Sequence, residues 1–263
     1  MKDKKENIIV FDLDETLGYF CELSIFIDSL EKILNKKLSK NDFFETLDLF
    51  PEFFRPNIIN ILKYIKSKKV KHKIKVMIYT NNQKSPVWAK EIKDYIEYKL
   101  GYKLFDQVIL AFKIGGVKIE PNRTTHNKTL SDFINCTHIT EPVNVCFIDD
   151  QHHPGMIHDD IYYIEVFPYY NFLNFDEMIE RYYEKNKDTI KNTNFKEELK
   201  EEIKKYNFKV YEKPKEDYQL EKIISKKILN MIDDFFKTRI EHFTKKNIKR
   251  LKHSANNKTK KLI

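Results

Sequence analysis

The chain has 263 residues, of which 41% are hydrophobic and 14% aromatic, and this composition excludes a wholly disordered or collagen-like protein. Three cysteines, no apolar run of roughly 18 to 20 residues and no signal-peptide pattern predict an intracellular protein, cytoplasmic or nuclear, that is not secreted and not in the membrane. The net charge of +8 lies entirely in residues 242–263, which excludes a uniformly basic protein.

Strands and helices alternate along the first 170 residues. Four short apolar runs have the length of buried strands: residues 7–11, 74–79, 143–148 and 161–166. Helical spacing and capping residues predict helices over residues 22–36, 39–50, 56–67, 86–101 and 129–135. This order predicts an α/β fold with a Rossmann-like, mostly parallel sheet and helices on both faces.

Two further segments differ from this alternation. Gly115-Gly116, flanked by residues 108–112 and 117–119, predicts a tight hairpin. After residue 171 the chain becomes helical and highly charged, and an apolar stripe from Leu220 to Phe236 predicts a long helix over residues 217–247.

Carboxylates cluster where the predicted strands end. Asp12 and Asp14 follow the first strand, and Asp149-Asp150 end the third. Thr80 and Asn81 follow the second strand, and the carboxyl ends of parallel strands meet at one edge of a sheet. Because neighbouring carboxylates repel unless a cation or a reaction uses them, the pattern predicts a functional site at this edge of the sheet.

Four motifs in this order resemble those of the haloacid dehalogenase (HAD) superfamily of phosphotransferases, over roughly residues 7–185. Asp12-x-Asp14-x-Thr16 is similar to the first motif, and Thr80 to the second. Lys128, just before a predicted helix, is similar to the lysine of the third motif, for which Lys118 and Arg123 are weaker candidates. Asp149-Asp150 is similar to the fourth.

Within that superfamily, the chain looks most like the RNA polymerase II C-terminal-domain phosphatases and their NLI-interacting-factor-like relatives. Asp-Leu-Asp-Glu-Thr-Leu from Asp12 and the later Arg55-Pro56 are typical of that branch. The chain departs from that branch in two places. Residues 19–50 have the pattern of helices where the branch has mainly strand-like segments, and the Asn81-Asn82-Gln83 loop replaces the branch's small-residue pattern. The Lys-, Asn- and Ile-rich composition is compatible with a member from a large DNA virus.

The resemblance implies a division into domains. Residues 1–185 would form a HAD-like catalytic domain with a small helical cap-like insertion at residues 19–54. Residues 186–241 would form a helical C-terminal extension, and residues 242–263 a basic tail.

The residue types also imply roles in catalysis. Asp12 would form an aspartyl-phosphate, and Asp14 would act as general acid and base. Thr80, Asn81 and Lys128 would hold the phosphoryl oxygens. Asp12, the backbone carbonyl of Asp14 and Asp149 would bind Mg²⁺, with Asp150 and Thr16 in support, Asp150 orienting Lys128 or a bound water.

The expected function is Mg²⁺-dependent hydrolysis of phosphomonoesters, with a phosphorylated protein or small molecule as substrate. Two alternatives remain: a nucleotide or nucleic-acid-end phosphatase, and a catalytically silent module that recognises phosphate. The basic tail is either solvated or binds nucleic acid or another polyanion, and a nuclear-localisation signal is a third interpretation.

Overall fold

The computed structural model describes residues 5–140, 142–210, 215–241 and 259–261. The chain forms two compact units. The first takes the described residues up to Leu17, residues 55–169 and those from Leu220 onward. The second takes residues 18–54 and 170–219, so each unit is built from separate stretches of chain.

The first unit contains a parallel sheet with strand order β3-β2-β1-β6-β7-β8. Its strands are β1 (Glu6–Phe11), β2 (Lys75–Tyr79), β3 (Gln107–Ile109), β6 (Val143–Asp149), β7 (Ile161–Glu165) and, at one edge, β8 (Thr259–Lys261). A separate antiparallel pair consists of β4 (Lys113–Ile114) and β5 (Val117–Lys118). The four apolar runs predicted as strands all lie in the sheet, and the α/β fold class is confirmed.

Eight α-helices accompany the strands in the described part of the chain. They are α1 (Cys21–Ile33), α2 (Lys40–Asp48), α3 (Ile58–His72), α4 (Pro86–Leu100), α5 (Leu130–Thr137), α6 (Phe175–Asn186), α7 (Phe195–Lys204) and α8 (Lys215–Phe235). A π-helical turn, Phe236–Glu241, follows α8. Capping residues explain several ends: the Ser85 hydroxyl accepts from the Trp88 N–H at the start of α4, and Gly101, at φ 56°, ends that helix.

The central strands are buried on both faces. Every residue of β6 is buried, as expected for a parallel strand covered on each side. On one face, Ile8 and Val10 of β1 share a hydrophobic core with Phe133 and Cys136 of α5. Because side chains alternate along a strand, Ile9 and Phe11 of β1 point to the opposite face, where they are equally buried.

The predicted hairpin is right about its turn and wrong about its first arm. Gly115 and Gly116 both adopt positive φ, which suits a two-residue turn, and such a turn pairs the residues next to it. The arms are therefore β4 and β5. Residues 107–109, which overlap the predicted first arm, instead form β3 and pair in parallel with β2.

The second unit is helical and contains α1, α2, α6 and α7. Lys32 of α1 and Glu202 of α7 form an ion pair at 2.9 Å, and Arg181 of α6 donates to the Leu49 carbonyl at 2.9 Å. The helices predicted within the insertion at residues 19–54 are present. The predicted boundary at residue 185 differs from the observed units, because α7 lies with the insertion rather than with α8.

From Leu220 onward, helix α8 belongs to the first unit. The predicted apolar stripe packs into the core from Ile224, whereas Leu220 at its start is exposed. Ile228, Ile232 and Phe235 are buried, and the Tyr162 hydroxyl donates to Asp234 at 2.7 Å. None of the described helices combines the length and apolar character needed to cross a bilayer. The basic tail predicted at residues 242–263 lies outside the described residues, apart from the backbone of β8.

Candidate active site

Strand register brings Asp12 and Asp149 to the same edge of the sheet. Phe11, the last residue of β1, pairs with Ile148 of β6 on one side and with Ile78 of β2 on the other. The Asp12 N–H then donates to the Ile148 carbonyl at 2.9 Å. Asp12, Asp149 and the loop after β2 therefore lie at adjacent carboxyl ends, as the sequence predicts.

Lys128 lies between the two aspartates. The residue is 2% exposed, and its ammonium donates to Asp149 Oδ2 at 2.7 Å and also to Asp12 Oδ1. It directly precedes Thr129, whose hydroxyl caps α5, so the start of a helix fixes its position. Lys118, a weaker candidate for this role, is exposed on β5. The structure therefore brings Lys128, rather than Lys118, to the carboxylates.

The electrostatics favour a charged Lys128. Burial lowers the pKa of Lys128, but the adjacent Asp12 and Asp149 outweigh burial and raise it above its usual range. Burial raises the pKa of Asp149, but Lys128 and the neighbouring His153 hold it below its usual range. Burial raises the pKa of Asp12 well above its ordinary value, and Lys128 offsets this only in part.

Three carboxylates in this cluster could hold a metal ion. Asp12, Asp149 and Asp150 each offer an oxygen, and these oxygens lie within 4.8 Å of one another. Hard carboxylate oxygens suit Mg²⁺, and one buried ammonium leaves negative charge uncompensated, so the residues fit such an ion. The carbonyl of Asp14 stays a predicted ligand.

Asp150, predicted as a supporting residue, also offers a carboxylate oxygen to the possible metal cluster. The Thr16 hydroxyl donates to Asp150 Oδ1 at 3.1 Å and accepts from the Asp150 N–H at the same distance. Burial and then the charge of Asp149 raise the pKa of Asp150 to about 6. Thr16 therefore supports the cluster through its bonds to Asp150.

Arg123 organises the loop after β2 rather than replacing Lys128. Its guanidinium is fully buried and donates to the carbonyls of Thr80 at 3.1 Å and Leu110 at 2.9 Å. It also donates to Asn81 Oδ1 at 2.8 Å. Because this bond engages the amide oxygen of Asn81, the amide N–H groups remain as donors, which is the polarity that a phosphate oxygen needs.

Asp14 is held by the same loop. The Asn82 side chain donates to Asp14 Oδ2 at 2.8 Å, and the Asn82 backbone N–H donates to the Thr80 hydroxyl at 3.0 Å. Burial raises the pKa of Asp14, while the Asn82 bond opposes the rise. The general acid predicted at Asp14 is thus tied to the predicted phosphate-binding loop.

The turn that carries Asp14 is strained, and Arg55 binds its backbone carbonyls. Glu15 adopts φ 57°, a left-handed conformation that costs a non-glycine residue roughly 1–3 kcal/mol. Arg55, 1% exposed, donates to the carbonyls of Glu15 at 2.6 Å and Thr16 at 2.7 Å. Glu221 of α8 binds the same guanidinium at 3.0 Å. Arg55 and Glu221 therefore fix the backbone just after Asp14.

No protein-family model matches this chain, and no curated protein matches it in sequence. The resemblance to the superfamily therefore depends on the motifs of this chain and on where they lie.

Three residues at this site have roles that the sequence does not predict. Asn82 is identified only as part of a polar loop, although its place two residues after Thr80 puts it at the same sheet edge. Arg55 is identified only through the resemblance to the phosphatase branch, without a predicted structural role. Glu221 gives no signal, because it lies 166 positions from the arginine that it binds.

Proposed function

We propose that the protein is a Mg²⁺-dependent phosphomonoester hydrolase of the HAD superfamily. The observation that carries the proposal is the buried Lys128 between Asp12 and Asp149, with an Asp150 oxygen within 4.8 Å of theirs. A cluster of buried carboxylates around one ammonium stabilises a fold poorly, because each charge must be desolvated. A reaction that needs a nucleophile, a cation and a phosphate-binding group explains all of these residues.

In the proposed reaction, a carboxylate oxygen of Asp12 attacks phosphorus while the bond to the leaving oxygen breaks. Asp14 gives its proton to that leaving oxygen, and an aspartyl-phosphate remains on Asp12. Asp14 then takes a proton from water as the water attacks phosphorus, which frees phosphate and regenerates Asp12. Positioned proton transfer of this kind contributes roughly 10²–10⁴-fold in rate.

Positive charge held at the site would let the Asp12 carboxylate approach the anionic phosphate of the substrate. Lys128 and the N–H groups of Asn81, with the Thr80 hydroxyl, would bind the phosphoryl oxygens where transition-state charge develops. Asp12 and Asp149, with Asp150, would hold Mg²⁺, which neutralises charge on the phosphate when bound.

We favour a phosphorylated protein as the substrate and a cytoplasmic or nuclear location. The support for the substrate is the Asp-Leu-Asp-Glu-Thr-Leu motif from Asp12 together with Arg55-Pro56. The location is supported by the cysteine content, because three cysteines cannot form a disulfide framework, as expected in a reducing compartment.

The proposal is tested by hydrolysis of 4-nitrophenyl phosphate. Activity should require Mg²⁺ and fall at least a thousandfold, on the order expected for a lost nucleophile, in Asp12→Asn. Asp188→Asn, which removes an exposed carboxylate of the second unit, should keep wild-type activity. Mass spectrometry after acid quenching should find phosphate on Asp12. Activity retained by Asp12→Asn would refute the mechanism.

A substrate panel separates the substrate classes. Phosphopeptides, nucleotides and oligonucleotides with 3′- or 5′-phosphates would be compared by kcat/KM. The proposal expects phosphopeptides to rank first. Preference for nucleotides or oligonucleotide ends would replace it with the nucleic-acid alternative.

A further inference from the structure

We propose that Asn82 is a positioning residue that selects which oxygen of Asp14 delivers the proton to the leaving group. The inference deepens the proposed function and rests on it. It concerns the general acid alone, so it can fail while the phosphatase proposal stands.

The orientation of the Asn82 amide is fixed by two bonds. Its Oδ1 accepts from the Lys84 backbone N–H at 3.0 Å, and a backbone N–H can only donate. The group pointing at Asp14 must therefore be Nδ2, which can only donate. The bond of 2.8 Å to Asp14 Oδ2 is thus a donation to the carboxyl group.

This donation makes the two oxygens of Asp14 unequal. Oδ2 accepts from Asn82 whether or not Asp14 carries a proton, because a carboxylic acid still has an accepting oxygen. A hydroxyl oxygen accepts more weakly than a carbonyl oxygen, so a proton placed on Oδ2 would weaken the bond from Asn82. The transferable proton therefore belongs on Oδ1, and it moves from Oδ1 to the leaving oxygen as the phosphorus–oxygen bond breaks.

Asn82 also ties the acid to the phosphate-binding loop. Its backbone N–H donates to the Thr80 hydroxyl at 3.0 Å, so one residue touches both Asp14 and Thr80. The oxygen that carries the proton is thereby held at a fixed offset from the loop that would hold the phosphate. Loss of the Asn82 side chain should leave Asp14 in place and free its carboxyl group to rotate.

Leaving-group chemistry provides the readout. An alkoxide leaves poorly and needs its proton during bond cleavage, whereas a dinitrophenolate leaves readily without one. A change confined to the orientation of the acid should therefore affect alkyl phosphates and spare dinitrophenyl phosphate. A general loosening of the loop should slow both reactions equally.

The experiment measures kcat/KM, which covers the steps up to formation of the phosphoenzyme, with Mg²⁺ present. The substrates are phosphoserine, 4-nitrophenyl phosphate and 2,4-dinitrophenyl phosphate. Asn82→Ala should lower the value for phosphoserine by roughly 10- to 100-fold and leave dinitrophenyl phosphate within about twofold, with 4-nitrophenyl phosphate between them. The control Gln83→Ala removes the neighbouring exposed amide, which bonds only the Asn81 carbonyl in the described structure. It should match wild type on all three substrates.

A second variant distinguishes loss of the Asn82 side-chain donor from disruption of the loop. Asn82→Ser keeps an oxygen that can accept from the Lys84 N–H and loses the donor that reaches Asp14. It should reproduce the selective loss on phosphoserine while its thermal stability stays close to wild type.

The outcomes distinguish the two proposals. Equal losses on all three substrates, or no loss, in both Asn82 variants would overturn the role of Asn82 and leave the phosphatase proposal intact. A wild-type protein that hydrolyses none of the three with Mg²⁺ would overturn both.

Discussion

Lys128 is the residue whose removal should change the balance of charge most. Lys128→Met leaves Asp12 and Asp149 buried without their ammonium, which should lower the free energy of unfolding by roughly 3–5 kcal/mol at neutral pH. Mg²⁺ should then raise the melting temperature more in the variant than in wild type, because the freed carboxylates bind the ion instead. Thermal unfolding with and without Mg²⁺ measures both effects.

The matched control is Lys118→Met, which removes an exposed lysine of β5. It should change stability by no more than about 0.5 kcal/mol and leave the response to Mg²⁺ as in wild type. Equal Mg²⁺ responses in Lys128→Met and wild type would contradict the metal site.

Glu22 of α1 should make the protein less stable as pH rises. It is fully buried and, within the described residues, forms no ion pair; burial raises its pKa to about 8. Its folded pKa lies above the ordinary value of 4.5, so its contribution is favourable below pH 4.5 and is lost as pH rises toward 8. Glu22→Gln should therefore be more stable than wild type by roughly 4 kcal/mol at pH 8, with little difference at pH 4.

Denaturant unfolding across this pH range measures the difference. The control Glu45→Gln changes an exposed carboxylate of α2 and should follow the wild-type pH dependence. A gap between Glu22→Gln and wild type that does not grow with pH would contradict the assigned cause.

Single residues of the site are predictable where a residue of suitable chemistry lies at the end of a strand or the start of a helix. Asp12 and Asp149 end buried strands, and Lys128 precedes a capped helix, so their places follow from local pattern. The roles of Asn82 and Arg123 are not predictable in this way, because they depend on the direction in which an amide and a guanidinium point. Such directions are set by tertiary contacts that no local spacing encodes.

At the scale of elements, α8 supports the turn that carries Asp14. Glu221→Ala leaves the buried Arg55 guanidinium without its carboxylate and should cost roughly 3–5 kcal/mol of unfolding free energy. Because Arg55 holds the carbonyl of the strained Glu15, kcat should fall with stability. Chemical denaturation and steady-state kinetics measure the two effects.

Asp233→Ala on the same helix is the comparison. It removes a hydrogen bond of 2.6 Å to Tyr64 and an ion pair with Lys237, neither of which involves the turn at Asp14. It should cost about 1 kcal/mol without changing kcat. If both variants had the same kcat, α8 would have no part in holding the turn.

The elements also show where sequence patterns are sufficient. The apolar runs within β1, β2, β6 and β7 are recognisable because strands of a parallel sheet covered by helices are mostly apolar. The short β3 is mistaken for part of a hairpin because a three-residue strand has no periodicity of its own. Its place is determined by pairing with β2, which lies about 30 residues away in sequence.

At the scale of the whole molecule, the basic excess of the tail should govern binding to polyanions. Removal of residues 242–263 should weaken binding to a single-stranded oligonucleotide and flatten its salt dependence. The log–log slope should change by about 0.7 for each phosphate that the tail neutralises. Titrations at several salt concentrations provide the slope.

The control replaces Lys36, Lys185 and Lys191 by Gln, which removes exposed charge from the second unit and keeps the tail. Its slope should stay near that of wild type. An unchanged slope in the truncated chain would remove the nucleic-acid argument for the tail.

The division into units is the least predictable feature. The sequence places α6 within the first 185 residues and α7 beyond them, yet both lie in the second unit with α1 and α2. The sequence pattern of an amphipathic helix such as α7 predicts which face is buried, but it does not predict which partner covers that face. The pairing of Lys32 with Glu202 spans 170 positions, a separation that composition and spacing do not report.

The two-part construction of the second unit has a consequence for how the chain folds. Its first segment, residues 18–54, is synthesised before the strands β2, β6 and β7, and its second segment, residues 170–219, only after them. Helices α1 and α2 therefore cannot pack against α6 and α7 until the second segment has been synthesised. A sheet that forms first would shorten the loop that must close to bring the two segments together. We expect the helical unit to be the last to fold. In chains whose release from the ribosome is interrupted, it should be the first unit that fails to form.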